Sequence, residues 1–248
     1  TMKAMWLARL ARPDLSKAIN DLTTKGCAWS RNDDKKLHRL FCYIHTTKHY
    51  RLEGVIGGDP DSYTTRIYTD ADFAGDSGST KSMSGGLVVL VGDSTWYPLA
   101  WVCKKQTATS RSTTESEMVS MAATLFAEGM PLQELWSLLL GRQVEMEIKQ
   151  DNQATIKVAK NGYSHKLRHV TRHHKVDIGS IKETLDRDDV GIDFVESKKQ
   201  AADIFTKGLP LMKWPDALRM LNIESQDHVE GDPSERARIA LQLAVDLV

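Results

Sequence analysis

The sequence predicts an α/β domain, a mixed five-stranded sheet with helices on both faces, preceded by a short helical segment. Three observations carry this expectation: the periodicity changes from helical to strand-like near residue 60, three short β-rich runs lie between Thr65 and Lys105, and helix and strand patterns alternate from Ser112 onward. At 248 residues and 41% hydrophobic, the chain can bury a full core, with room for one medium domain and an extension.

Residues 1–58 read as helical. Pro13 and Asp14 suit a helix start, and Leu15, Ala18, Ile19 and Leu22 repeat at helical spacing before Gly26. A second helix is expected with Asn32 or Asp33 as its cap and Leu37, Leu40, Phe41 and Ile44 on one face. VIGGDPDSY then has linker chemistry, and a domain spanning 62–223 is expected to follow. In it TRIYTD, GGLVVLVGD and PLAWVCKK read as a three-stranded antiparallel meander. The remaining order is a helix from Ser112, strand VEMEIKQ, a helix from Asn152, a further helix through Thr171 to Leu185, strand GIDFVE and a helix from Gln200. Residues 224–248 read as an acidic linker and a short amphipathic helix from about Ser234.

Composition narrows the function classes. The formal charge is zero, so no global basicity announces a nucleic-acid partner, but Asn152 to Val176 holds six Lys/Arg and four His without one acid. That segment suits contact with phosphates; a solvated basic face is the plainer alternative. Cys27, Cys42 and Cys103 are odd in number and lack C-x-x-C spacing, which supports neither a disulfide framework nor a zinc ribbon and suits a reducing compartment. No signal-like start is evident, and ARIALQLAVDLV falls short of the roughly 20 residues of a membrane span, so a soluble protein is expected.

Four acids stand out. Asp70 in IYTDADFAGD and Asp151 in KQDNQATIKVAK each end a hydrophobic strand, where an α/β sheet exposes reactive groups. Each has a plainer role as a turn or cap residue, and Asp72 and Asp76 compete in the same loop. Glu115 fits a capping box with Ser112, yet at about 100° per residue it shares a stripe with Met118, Val119, Ala122 and Phe126, whereas Glu117 lies opposite with Thr124 and Glu128. An acid turned towards a core is costly unless paired or metal-bound, so Glu115 is the expected ligand and Glu117 the expected solvated residue. Asp203, in the first turn of its helix, is explained equally by the helix dipole. Together Asp70, Glu115, Asp151 and Asp203 form the pattern of a carboxylate cage for divalent metals. His165, His169 and His173, spaced by four, would permit a pair of zinc ligands, but no nearby acid or Cys completes a set.

YTDADFAGD, SMSGG, AWVCKKQTATSRSTTESE, QDNQATIKVAKN and QAADIFTKGLP closely resemble, in the same order, the ribonuclease H domain of copia-type long-terminal-repeat retrotransposon Pol polyproteins. ARPDLSKAINDL and KLHRLFCYIHTTKHYRL resemble the helices that join the reverse transcriptase to it. No polymerase Y-x-D-D motif is found, so the chain looks like a C-terminal piece of such a polyprotein or a gene derived from one.

The resemblance implies a ribonuclease H-like fold whose second strand is antiparallel, and endonucleolytic hydrolysis of the RNA strand of RNA–DNA hybrids. It places Asp70, Glu115, Asp151 and Asp203 at the four acids that hold two Mg²⁺, with Mn²⁺ as the alternative. The implied partners are the hybrid and the reverse transcriptase portion of the same polyprotein; the implied setting is intracellular, in a cytoplasmic virus-like particle or the nucleus. ESKKQ stands where many relatives carry a mobile His before the last acid, and in HKLRHVTRHHKVDIG only His169 matches the family's basic helix. Lys104, Lys105, Arg111, Lys166, Arg168, His169 and Arg172 are the expected nucleic-acid contacts. Trp96 and Trp101 could stack on nucleotides, though aromatics on strands more often serve the core. An inactive binding module and a structural connector are the other two classes of function.

Overall fold

The structure, a computed structural model, describes residues 2–75 and 80–225. It divides into two compact units, residues 1–53 with 207–248, and residues 54–206. Asp76 and the expected tail helix from Ser234 lie outside the described residues.

The first unit opens with α1 (Met2–Leu10), α2 (Ser16–Thr23), α3 (Arg31–Thr46) and the short strand β1 (Tyr50–Leu52). Pro13 starts a 3-10 turn that leads into α2, where Ala18, Ile19 and Leu22 are buried as their spacing predicts. The cap of α3 is Ser30, two or three residues earlier than expected: its hydroxyl accepts from the Asp33 amide while the Asp33 carboxylate accepts from the Ser30 amide. Leu40 and Tyr43 of α3 are buried, but Phe41 faces solvent. Beneath them Arg12 is bound to the Asp14 carboxylate at 2.9 and 2.7 Å and to Thr47 O at 2.9 Å, and Tyr43 Oη donates to Asp14 at 2.9 Å. The buried charge is thereby paired and its donors are satisfied.

The second unit contains β2 (Thr64–Asp72), β3 (Met83–Gly92), β4 (Thr95–Lys105), α4 (Thr113–Thr124), α5 (Met130–Leu140), β5 (Met146–Gln150), α6 (Gln153–Asn161), α7 (Val170–His174), α8 (Ile178–Leu185), β6 (Val190–Phe194) and the one-turn α9 (Asp203–Thr206). The sheet order is β4-β3-β2-β5-β6, with β3 antiparallel to both neighbours and β2, β5 and β6 parallel. This is a ribonuclease H-like fold, recognised from strand order and direction. Ile67, Ile148 and Ile192 from the sheet join Met118, Met121, Leu125, Ala159 and Ile181 from the helices in the main core.

Two helices differ from expectation. The helix expected through Thr171 to Leu185 is split, because Lys175 adopts a left-handed conformation (φ 59°) and Asp177 caps α8 by accepting from Gly179 N at 3.0 Å. The helix expected from Gln200 forms only from Asp203 to Thr206.

The chain ends its described part with α10 (Trp214–Met220) and β7 (Ile223–Ser225), and β7 pairs antiparallel with β1. The compact unit that carries the sheet spans 54–206, and residues 207–225 group with the first unit. Two three-residue strands paired from opposite ends of the chain have no periodicity to announce them.

Candidate metal centre

The site follows from the parallel pairing of β2 and β5, whose last paired row is Tyr68 with Lys149. Asp70 and Asp151 each lie two residues beyond that row, so two neighbouring parallel strands deliver their acids to the same edge of the sheet. Asp203 arrives from α9, which packs across β3. It can come close because β3 has Gly85 opposite Asp70: a Cβ there would sit 2.5 Å from Thr206 Cγ2 and 2.9 Å from Ala202 O. The outcome is a cluster in which one oxygen from each of Asp70, Asp151 and Asp203 lies within 4.8 Å of the others.

These acids are held by polar neighbours. Thr206 Oγ1 donates to Asp70 Oδ2, Ser120 Oγ donates to Asp70 O at 2.6 Å, and Gln200 Nε2 donates to Thr69 O at 3.0 Å. Ser197, from the ESKKQ stretch, donates to Asp151 Oδ2 at 3.1 Å. Asp70 and Asp203 are buried and Asp151 is half-buried.

Both glutamates of α4 are buried, although only Glu115 was expected to be. Glu117, expected in solvent, is 6% exposed and lies close enough to Asp70 and Asp151 for their charges to act on it. Burial first, then those two carboxylates, push its pKa from 4.5 up to about 9. Gln150 Nε2 reaches its Oε2 at 3.4 Å. Glu115 is buried as expected, but its partners are not the other acids: Oε1 lies 3.0 Å from His174 Nε2 and 3.1 Å from His169 Nε2, and Oε2 accepts from Arg111 N at 2.9 Å. The structure thus puts Glu117, rather than Glu115, within electrostatic reach of Asp70 and Asp151, while the acids that lie within 4.8 Å of one another are Asp70, Asp151 and Asp203.

The cause lies in which face of α4 meets the sheet. Reading the apolar stripe as sheet-facing put Glu117 outside. Instead Ser120 donates to Gly85 O at 3.0 Å, and a Cβ on Gly86 would lie 2.1 Å from Thr124 Oγ1, so the small polar stripe that includes Glu117 packs on the glycines of β3. SMSGG opposite a Glu-Ser-Thr stripe was the available signal. His174 was also missed, because its role depends on the break at Lys175.

The other candidates are dispersed over the second unit. Lys104 is exposed and Lys105 half-buried at the end of β4, and Arg111 is exposed just before α4. Lys166, Arg168 and Arg172 are exposed, whereas His169 is turned to Glu115. Trp96 and Trp101 are half-buried on β4. His165 falls in a separate 3-10 turn, so the three histidines do not share one helix.

No family model matches the chain. The retrovirus-related Pol polyproteins of transposons RE2 and RE1 of Arabidopsis thaliana are 27% identical to it over 86% and 80% of its length, and that of transposon TNT 1-94 of Nicotiana tabacum is 30% identical over 68%. The chain spans only 12–14% of those polyproteins. Secreted RxLR effector protein 161 of Plasmopara viticola is 32% identical over 48% of the chain and 78% of that protein. The solved structure of LC11-RNase H1, isolated from compost, overlaps 58% of the chain and 92% of its own at 19% identity and a TM-score of 0.41. The sheet order and strand directions define a ribonuclease H-like domain. Over most of its length the chain is a homologue of one stretch of copia-type retrotransposon Pol polyproteins.

Proposed function

We propose that the second unit is a divalent-metal-dependent endonuclease that hydrolyses the RNA strand of RNA–DNA hybrids, working as one segment of a Pol polyprotein beside its reverse transcriptase. The observation that supports it most is the convergence of Asp70, Asp151 and Asp203 from three separate elements to within 4.8 Å. The residues fit a divalent cation. The donors are all carboxylate oxygens, which suit hard Mg²⁺ or Mn²⁺, and the pKa of Glu117 is raised by its burial first and then by the charges of Asp70 and Asp151.

Asp70, Asp151 and Asp203 would hold the ions, with Glu117 as the fourth carboxylate in place of Glu115. When bound, such ions supply positive charge at the reacting phosphodiester and acidify water. The chain's own contribution is placement. Thr206 and Ser197 fix the rotamers of Asp70 and Asp151, and Ser120 ties α4 to the strand that carries Asp70. Lys104, Lys105, Arg111, Lys166, Arg168 and Arg172 are the proposed phosphate contacts, consistent with recognition of an A-like backbone and 2′-hydroxyls rather than base edges.

The test is incubation of the full chain with an end-labelled hybrid in Mg²⁺, alongside single-stranded RNA, duplex DNA and an EDTA control. Cutting of the hybrid's RNA strand alone, lost in EDTA and in Asp70→Asn and Asp151→Asn, is the expected result. Hybrid binding without cutting would leave a binding module in its place.

A further inference from the structure

Glu115 has no place among the clustered acids, yet it is 1% exposed, and a buried carboxylate is costly unless something holds it. What holds it is a pair of imidazoles. His174, whose side chain is also 1% exposed, and His169 both bring Nε2 to Glu115 Oε1, at 3.0 and 3.1 Å. A carboxylate only accepts, so His174 Nε2 is the donor of a hydrogen bond, while His169 Nε2 stands at ion-pair distance without one. The amide of Arg111 occupies Glu115 Oε2 at 2.9 Å. Arg111 and the segment carrying the two histidines therefore meet at a single buried carboxylate.

That segment needs an anchor. α7 is five residues long and ends at a left-handed Lys175, far too short to persist alone. Leu167 and Val170 anchor its apolar side in the core, while Lys166, Arg168 and Arg172 are exposed and make no ion pair among the described residues. Glu115 lies two residues before Glu117 on α4, about 3 Å along the helix axis. A cationic edge is thereby fixed close to the proposed metal site.

We infer that Glu115 is a positioning residue that clasps His169 and His174 onto the first turn of α4 and so presents Lys166, Arg168 and Arg172 to the phosphates of the hybrid. The role rests on the reading of the site as a hybrid nuclease and deepens it by assigning the grip on substrate to a residue outside the acid cluster.

The experiment measures hybrid affinity against salt by fluorescence anisotropy, in full-length chains carrying Asp70→Asn to prevent cutting. Glu115→Ala is expected to weaken binding about 10-fold or more and to flatten the slope of log affinity against log salt, each lost phosphate contact changing it by up to about 0.9. The pair Arg168→Ala/Arg172→Ala should do the same, and adding Glu115→Ala to it should cost little more, because both changes remove the same contacts. In chains with Asp70 intact, Glu115→Ala should raise KM and leave kcat nearly unchanged. Glu115→Gln, which retains one accepting oxygen, should lie between; if Glu115→Ala does not fold, its affinity and slope decide the matter. Unchanged affinity and slope, or a collapse of kcat at unchanged KM, would overturn the clasp. A wild-type chain that binds hybrid but does not cut it would overturn the nuclease reading alone, since the binding slopes still judge the clasp.

Discussion

Asp70, Asp151 and Asp203 were legible in the sequence because their chemistry and position agree: acids at the ends of strands or the start of a helix, where a parallel sheet opens. The choice between Glu115 and Glu117 was not, since both lie on one helix that is buried on several sides, and a helical wheel does not say which side meets the sheet. Glu117 yields a prediction with a definite sign. Its folded pKa of about 9 exceeds its ordinary 4.5, so the metal-free folded chain binds more protons than the unfolded chain between those values. This contribution to stability is complete below about pH 4.5 and is lost as pH rises towards 9. Glu117→Gln should remove that decline and, near neutral pH without divalent ions, raise stability by about 1–3 kcal/mol, read as a higher Tm. Equal Tm profiles for the two proteins between pH 5 and 9 would refute it. Adding Mg²⁺ should narrow the difference, because bound ions bring positive charge to the carboxylates and favour their ionised form.

At the scale of elements, the meander and the alternating helices and strands could be read from turn residues and periodicity, while the contacts that aim the acids could not. α9 is one turn long and places Asp203 only because Gly85 lets it approach β3. Gly85→Ala would drive a methyl against Ala202 O and Thr206, with an expected loss of about 1–3 kcal/mol. Since the same displacement moves Asp203, Mg²⁺ affinity measured by calorimetry should fall further than stability alone explains. Mg²⁺ affinity at the wild-type level would contradict this account of α9. The break between α7 and α8 was hidden for a similar reason: nothing in the periodicity of Thr171 to Leu185 announces a left-handed Lys175, and the pairing of His174 with Glu115 depends on it.

On the scale of the whole chain, α1, α2 and α3 fall within the segment 1–58 that reads as helical, but the grouping of 207–225 with residues 1–53 was not legible, because β1 and β7 are three residues each. Trp214 is buried and meets Tyr43 edge-on at 6.2 Å, within the first unit. Trp214→Ala should cost that unit about 3–5 kcal/mol. Limited proteolysis should then cut within residues 1–53 while 54–206 stays protected; a uniform loss of protection would contradict the division into two units. None of the described helices is long and apolar enough to cross a membrane. The chain's relatives continue well beyond it, since it spans 12–14% of the Pol polyproteins it matches.

The central claim is that Glu117, with the three aspartates, forms the reactive site. It is tested most directly by the single-turnover rate of hybrid cleavage in Mg²⁺ for wild type and Glu117→Gln at saturating protein. A loss of about 100-fold or more with hybrid affinity retained is the predicted result. Cleavage by Glu117→Gln at the wild-type rate would contradict the account.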